Sequence, residues 1–215
     1  MTERMTATQF AESGGVEDWR VLWGGGYASA CFLTGSLPVS AALVQAISEL
    51  AAAAQHDPDV DVRPESVTVR LLTREFDGLT DRDVSLARQI SAAARELRAP
   101  ADPAAVQHVQ VAIDAHDIPS VRPFWRAVLG YAEVGDDDLL DVQRHAPSFW
   151  FQQMDAPRPL RNRIHIDIYV PPDQVEARID AALAVGGRVI SDANAPEWWT
   201  LADPEGNEVD LAIWG

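Results

Sequence analysis

Cysteine is almost absent from this sequence. Cys31 is the only cysteine among 215 residues, and it lies in an apolar run typical of a β-strand. A single thiol cannot form an intrachain disulfide, and it cannot build a metal site of the kind that uses several thiolates. We therefore predict that Cys31 is buried and inert.

Positive charge is also scarce. The chain has 17 Lys and Arg residues against 33 Asp and Glu residues, which gives a formal net charge of −16. Such a surface repels the phosphate backbone of nucleic acids and the anionic headgroups of membranes. The composition therefore favours a small-molecule substrate and predicts neither a nucleic-acid partner nor a membrane partner.

Long apolar runs and a targeting segment are not evident in the sequence. No apolar run approaches the roughly 18 residues that span a bilayer, and residues 1–10 have no apolar signal core. The predicted location is cytoplasmic.

One Pro-rich stretch divides the chain. Residues 98–106 contain two prolines and show no periodicity, and they follow a helical pattern. The length suits two domains of about 100 residues, each large enough to bury a core. We predict a flexible N-terminus at residues 1–14, a first domain at 15–98, a linker at 99–105 and a second domain at 106–215.

The first domain has the pattern of an α+β unit. Two strand-like runs flank Gly24–Gly26, which is typical of a hairpin. An Ala-rich helix follows and must end before Pro58, and a capping box of Thr80 and Asp83 begins a later helix. The predicted elements are strands 19–23 and 27–33, helix 39–54, a strand from residue 67 and a helix from residue 80.

Three stretches of the first domain carry a family resemblance. They are Glu17–Trp19, Gln55–Asp59 and Val67–Asp83. Over most of residues 15–97 the sequence resembles the pterin-4a-carbinolamine dehydratase family. The resemblance implies an α/β sandwich with an antiparallel sheet. It also implies dehydration of a hydroxylated tetrahydropterin by histidines that act as acid and base.

The expected catalytic histidines are only partly present. His56 matches the first histidine of the family's His-His-Pro motif, Asp57 stands where the second is expected, and Arg74 stands where a third is expected. Asp57 can serve as an acid or base, and Arg74 can hold an anionic or carbonyl-bearing ligand through its planar guanidinium. Alternatively, His56 caps the preceding helix and Arg74 is a solvated surface residue.

The second domain contains a repeated motif. A strand-like run begins at His108 and another at His165, 57 positions apart, and the helix ends at Gly130 and Gly187 have the same spacing. Two copies of one supersecondary unit explain this better than chance does. Each copy is predicted as a βαβββ module.

Strand alternation places polar side chains of the second domain on one face. His108, His165 and Asp210 each oppose the apolar side chains of their own strand. Two imidazoles and a carboxylate suit a divalent ion such as Zn, Fe, Mn, Co or Ni. Alternatively, the two histidines hydrogen-bond to backbone, or the domain forms a ligand pocket without metal.

The second domain also resembles a known superfamily. His108, the segment 162–167 and the segment 201–211 resemble the vicinal oxygen chelate superfamily, which includes glyoxalase I and bleomycin resistance proteins. The resemblance places the acidic ligand at Asp210 and a fourth ligand on the fourth strand. Matching Phe151 with Val209 selects Gln152 for that ligand, whereas the strict 57-residue spacing selects Gln153.

The two resemblances together imply an α+β protein with paired βαβββ modules in its second domain and a homodimeric assembly. The implied function is a divalent-metal isomerase, lyase or dioxygenase with His108, His165, Asp210 and Gln152 as ligands. Carbinolamine dehydration around His56, Asp57 and Arg74 is the alternative activity. A non-catalytic protein that binds or sequesters a small ligand is the third possibility.

Overall fold

The computed structural model describes residues 3–22, 26–156 and 165–213. The chain divides into two compact units, Met1–His108 and Val109–Gly215. Each unit has its own cluster of buried apolar side chains. Both are mixtures of helices and sheets, which confirms the predicted α+β class.

A four-stranded antiparallel sheet with helices forms the first unit. The strand order in the sheet is β1-β2-β4-β3. In chain order the elements are α1 (Ala7–Ala11), β1 (Arg20–Val21), β2 (Ala28–Leu33), α2 (Leu37–Ala54), β3 (Asp59–Val62), β4 (Ser66–Leu71), a 3-10 turn (Arg74–Phe76) and α3 (Asp81–Glu96). The expected hairpin joins β1 to β2, although Gly24 and Gly25 lie outside the described residues.

Alternation along β4 and helical spacing in α2 build this core. Val67, Val69 and Leu71 are buried on one side of β4, and Leu43 and Ile47 are buried on α2. These apolar side chains belong to one core cluster. The predicted capping box of Thr80 and Asp83 at the start of α3 is confirmed.

Helix α2 bears on the expectation that the chain has no apolar run long enough to span a bilayer. It has 18 residues with a mean hydropathy of 1.5, so its length and composition would allow it to cross a membrane. Four of its side chains are nevertheless buried within the first unit: Ser40, Leu43, Ile47 and Ala51. Their spacing places them on one face, as in the core helix of a globular domain.

The segments expected to be flexible or linking contribute to the first unit. Phe10 on α1 is buried in the core. Ala101 forms a β-bridge with Phe32, and the backbone N–H of Asp102 donates to the carbonyl of Cys31. Residues 99–102 therefore lie along the edge of β2 that also pairs with β1. They occupy the end of that edge near Phe32, and β1 occupies the opposite end.

Two βαβββ modules form the second unit, as predicted. The first contains β5 (Gln110–Ala115), α4 (Ile118–Leu129), β6 (Ala132–Val134), β7 (Asp138–Leu140) and β8 (Ser148–Gln153). The second contains β9 (Ile166–Tyr169), a 3-10 turn (Pro172–Gln174), α5 (Val175–Ala184), β10 (Arg188–Ser191), β11 (Trp198–Ala202) and β12 (Glu208–Ala212). Their sheet orders, β5-β8-β7-β6 and β9-β12-β11-β10, are equivalent.

The turn between β11 and β12 links the two modules. The carboxylate of Asp203 is fully buried and accepts hydrogen bonds from Trp125 on α4 at 2.9 Å and from the side chain of Asn207 at 2.6 Å. Glu205 accepts from the backbone N–H groups of His116 and Asp117. The Asp-Pro-Glu-Gly segment therefore fixes the first module against the second.

Candidate functional sites

Three adjacent strands of the second module carry a row of polar side chains on one face. Asp210 on β12 lies opposite Asp167 on β9 in parallel register and opposite Thr200 on β11 in antiparallel register. Side chains directly opposite one another on neighbouring strands lie on the same face. We call Thr200, Asp210 and Asp167 the polar row.

His165 completes a cluster with this row. Its Nε2 atom lies 3.3 Å from Oδ1 of Asp167 and 3.7 Å from Oδ2 of Asp210. The Thr200 hydroxyl donates to Oδ1 of Asp210 at 2.7 Å, which fixes the orientation of that carboxylate. We call His165, Asp167 and Asp210 the His165 cluster.

The His165 cluster brings together the donor groups that a divalent cation needs. One ligand atom from each residue lies within 4.8 Å of the other two. Nitrogen and oxygen ligands at about 2.0–2.2 Å from one zinc ion are at most about 4.4 Å apart. A small side-chain movement would therefore suffice for common coordination. One imidazole and two carboxylates also form a donor set that suits Mn, Fe or Zn.

A cleft of about 570 Å³ opens beside the cluster. It has the size of a small-molecule pocket, for which about 300–1,000 Å³ is usual. The side chain of Asp210 is 19% exposed, and that of His165 is 51% exposed. Donor atoms are therefore accessible from solvent. The cleft is lined by Asp167, Tyr169, Glu197, Trp198, Asp210, Ala212 and Ile213.

The structure groups His165 and Asp210 within the second unit, whereas His108 belongs to the first. Strand β5 begins at Gln110, two residues beyond His108. His108 belongs to the first unit, where its Nδ1 atom lies 3.2 Å from the Tyr27 hydroxyl. Its role as a metal ligand stays a prediction.

Gln152 lies away from the position that corresponds to Asp210. In the first module, Gln110 is the counterpart of Asp167, and it pairs with Ser148 rather than with Gln152. Gln152 pairs with Asp114, four positions further along the strand, and is exposed. The neighbouring Gln153 donates to the carbonyl of His116.

A second imidazole–carboxylate pair lies in the first unit. His56 follows the end of α2, and its Nε2 atom lies 2.7 Å from Oδ1 of Asp83. The side chains of His56 and Asp83 are only 5% and 0% exposed. This pair is part of the interior of the domain.

The Asp83 carboxylate is the centre of a buried hydrogen-bond network. Its Oδ2 atom accepts from the Thr73 hydroxyl at 2.6 Å and from the Thr80 backbone N–H at 2.8 Å. With Asp83 as the acceptor, Nε2 of His56 is the donor, and Nδ1 is the other ring nitrogen available for hydrogen bonding.

Asp57 and Arg74 lie near this pair in sequence but have different surroundings. Asp57 is exposed. Arg74 donates to Oδ1 of Asp59 at 2.6 Å, and its side chain is 63% exposed. Their catalytic roles stay predictions, and the structure shows that Arg74 has a carboxylate partner of its own.

Sequence reasoning missed the roles of two carboxylates. Asp83 was recognised only as part of a capping box, because nothing in the local pattern shows that a residue 27 positions from His56 contacts its ring. Asp167 lies two positions after His165, so strand alternation puts both side chains on one face. The His-x-Asp spacing at the start of β9 was the available signal.

Two family models match this chain. Residues 2–93 match the model described as pterin 4 alpha carbinolamine dehydratase. Residues 110–212 match the model described as a glyoxalase-like domain. The matches confirm both resemblances that the sequence motifs indicate.

One curated relative matches part of the chain. A putative pterin-4-alpha-carbinolamine dehydratase from Nocardia farcinica is 48% identical over 60 residues, which is 28% of this chain and 63% of the relative. The chain therefore spans less than two thirds of that relative's length.

Solved structures resemble each half of the chain. A transcriptional coactivator/pterin dehydratase from Brucella melitensis covers 43% of this chain and 99% of its own, with 22% identity and a TM-score of 0.41. A glyoxalase/bleomycin resistance protein from Albidiferax ferrireducens covers 50% of this chain and 98% of its own, with 18% identity and a TM-score of 0.40.

Proposed function

Because this chain joins a pterin carbinolamine dehydratase-like domain to a glyoxalase-like domain, we propose that it is a small-molecule enzyme with a divalent cation in its glyoxalase-like half. The proposed ligands are His165, Asp167 and Asp210. The observation that carries the proposal is the mutual proximity of their ligand atoms, within 4.8 Å, at the edge of the cleft. All three residues belong to the second βαβββ module.

The residues around the cation have distinct roles. A divalent cation at this position would polarise substrate oxygens, which is the chemistry that isomerases, lyases and dioxygenases of this type share. Thr200 holds Oδ1 of Asp210. Oδ2 of the same carboxylate faces His165. The cleft keeps the donor atoms accessible, so a bound molecule can approach them.

Elemental analysis tests this proposal. The full chain, purified without an affinity tag and dialysed with Mn²⁺ or Zn²⁺, should retain about one ion per chain, and the His165→Ala variant should lose it. An Asp180→Asn variant, changed on the exposed side of α5, should bind like the wild type. Retention of metal by His165→Ala would contradict the proposal.

The wider ligand set is tested by single substitutions. If His108 or Gln152 also contributes a donor, as the sequence predicts, His108→Ala or Gln152→Ala should lower metal affinity by at least tenfold. Unchanged affinity in both variants would limit the site to the second module.

We also propose a second activity, dehydration of a carbinolamine, in the first domain. The observation in its favour is the buried hydrogen bond between His56 and Asp83. Asp83 fixes the ring through Nε2, and Nδ1 can then take a proton from a hydroxylated substrate or return one to it. Asp57 is the proposed second acid or base, and Arg74 is the proposed ligand-binding residue.

A direct assay of carbinolamine dehydration tests this second activity. The wild type should exceed the background rate, and His56→Gln should remove most of the difference because its amide cannot carry a proton in turnover. Asp57→Asn and Arg74→Ala report whether those side chains contribute. A wild-type rate equal to background would eliminate this activity.

A homodimer in the cytoplasm is the proposed state of the protein. Light scattering of the full chain should give twice the 23.5 kDa mass of one chain. A mass of one chain in dilute solution would contradict this.

A further inference from the structure

We propose that the cleft of the glyoxalase-like domain takes a planar aromatic or heteroaromatic ring that is neutral or cationic and carries N–H donors. The inference rests on the proposed function, because it names the substrate class of the same site. It is carried by a second row of side chains beside the polar row and by the charge of the residues that line the cleft.

The second row consists of two aromatic side chains with a small one between them. Trp198 on β11 lies opposite Ala212 on β12, and Ala212 lies opposite Tyr169 on β9. All three line the cleft. We call them the aromatic row. It lies two positions along the strands from the polar row.

The aromatic row forms a slot of suitable width for one ring. Neighbouring strands are about 4.8 Å apart, so the backbones that carry Trp198 and Tyr169 are about 10 Å apart. Only the methyl group of Ala212 lies between them. A ring above Ala212 would be about 5 Å from each aromatic side chain, within the range of about 4.5–7 Å for stacked or edge-to-face contacts.

The charge of the cleft selects against anions. The carboxylates in its lining are those of Asp167, Glu197 and Asp210, and the described lining includes neither Lys nor Arg. A divalent cation would balance the two aspartates, and Glu197 would still leave the cleft negative. An anionic group that lies away from the cation, near Glu197, would meet this charge without a basic partner in the described lining, whereas a neutral or cationic group would not meet repulsion.

N–H donors on the ring would complement the same residues. Glu197 immediately precedes Trp198 and lines the cleft, so its carboxylate can accept hydrogen bonds from a ring that lies against the indole. A cationic group would also be attracted to the faces of Trp198 and Tyr169. Charge, hydrogen bonding and shape therefore favour one ligand class.

A matched set of probes tests the proposal on the full chain without added metal, so that the benzoate carboxylate has no cation to bind. Benzamidinium, benzamide and benzoate share one ring and differ in charge and in N–H donors. Binding measured by calorimetry should be tightest for benzamidinium, weaker for benzamide, and at least tenfold weaker for benzoate than for benzamidinium. Benzoate binding as tight as benzamidinium, or no benzamidinium binding, would overturn the proposal.

A substitution in the slot locates the binding. Ala212→Leu fills the space between the aromatic side chains and should weaken benzamidinium binding at least tenfold. Ala112→Leu is the control, because Ala112 is an exposed residue of β5 in the other module. Equal benzamidinium affinity in the two variants would contradict binding between Trp198 and Tyr169. Glu197→Gln should reduce the preference for benzamidinium over benzamide.

Metal titration of the same variants separates this inference from the proposed function. Ala212→Leu leaves the His165 cluster intact, so its Mn²⁺ affinity should equal that of the wild type. Loss of ring binding with unchanged metal binding is the expected result. Absence of metal binding in the wild type would contradict the proposed function, whereas metal binding without ring selectivity would contradict only this inference.

Discussion

The two imidazole–carboxylate sites of this protein use the same chemical groups in opposite environments. The His56–Asp83 pair in the first unit is almost completely buried, with side chains 5% and 0% exposed. In the second unit, His165 and Asp167 are 51% and 47% exposed. The difference separates a pair whose removal should cost folding stability from a pair whose donor atoms are open to solvent.

Burial makes the first pair energetically important to folding. Asp83 also accepts hydrogen bonds from the Thr73 hydroxyl and the Thr80 backbone N–H. Loss of the carboxylate would therefore leave several buried donors without this acceptor. The exposed pairs of the second unit contribute little to stability, since surface ion pairs are worth about 0–1 kcal/mol. Their close placement is the feature on which the proposed metal site rests.

The largest expected effect is that of Asp83→Ala. Removal of one partner from a buried pair costs about 3–5 kcal/mol because the remaining polar groups stay buried and unpaired. Chemical denaturation of the full chain should show that loss in the transition of the first unit. A loss below about 1 kcal/mol would remove the energetic difference between the two sites.

Asp210→Asn should lower metal affinity strongly and leave the free energy of unfolding almost unchanged. The amide can still accept from Thr200, so stability should change by no more than about 0.5 kcal/mol, as for most surface substitutions. Metal affinity should fall by about 100-fold, because an amide is a weaker ligand than a carboxylate. Isothermal titration with Mn²⁺ measures the affinity, and a large fall in stability would show that Asp210 supports the fold instead.

Thr200→Val should give a smaller change at the same site. Groups that orient metal ligands typically contribute about 10–100-fold to affinity, and we expect the lower end because Asp210 keeps its strand position. Thr200→Ser restores the hydroxyl and should recover most of the affinity. Failure of Ser to recover it would indicate that the Thr200 methyl group matters rather than the hydrogen bond to Asp210.

The smallest expected effect is that of Asp138→Asn on β7, which changes a carboxylate outside both imidazole–carboxylate sites. Burial raises its pKa, the charge of Asp137 raises it further, and Arg122 acts in the opposite direction. A raised pKa means that this carboxyl stabilises the fold when protonated and that the contribution is lost as pH rises through its folded value. Asp138→Asn should therefore raise the melting temperature slightly at neutral pH, and the gain should disappear in acid.

The sequence predicted elements better than it predicted contacts. The repeat predicted both βαβββ modules, and the described residues of each contain one α-helix and four strands. It could not predict that β5 begins after His108, because alternation continues through Val109. It also could not predict the register between β5 and β8, which places Ser148 rather than Gln152 at the position of Asp210.

Contacts between distant residues depend on tertiary structure. The pairing of His56 with Asp83 requires the end of α2 to meet the start of α3, and neither local pattern specifies this. By contrast, the proximity of Asp167 to His165 follows from two positions on one strand. Local alternation therefore predicted part of the His165 cluster, whereas the buried pair required the structure.

The most direct test is a Mn²⁺ titration of the full chain and of the double variant Asp167→Asn/Asp210→Asn, with Asp180→Asn as the control. We expect about one site per chain in the wild type and in the control, and no measurable site in the double variant. Folding should be unchanged in all three proteins. Equal Mn²⁺ affinity in the wild type and the double variant would contradict a metal site at His165, Asp167 and Asp210.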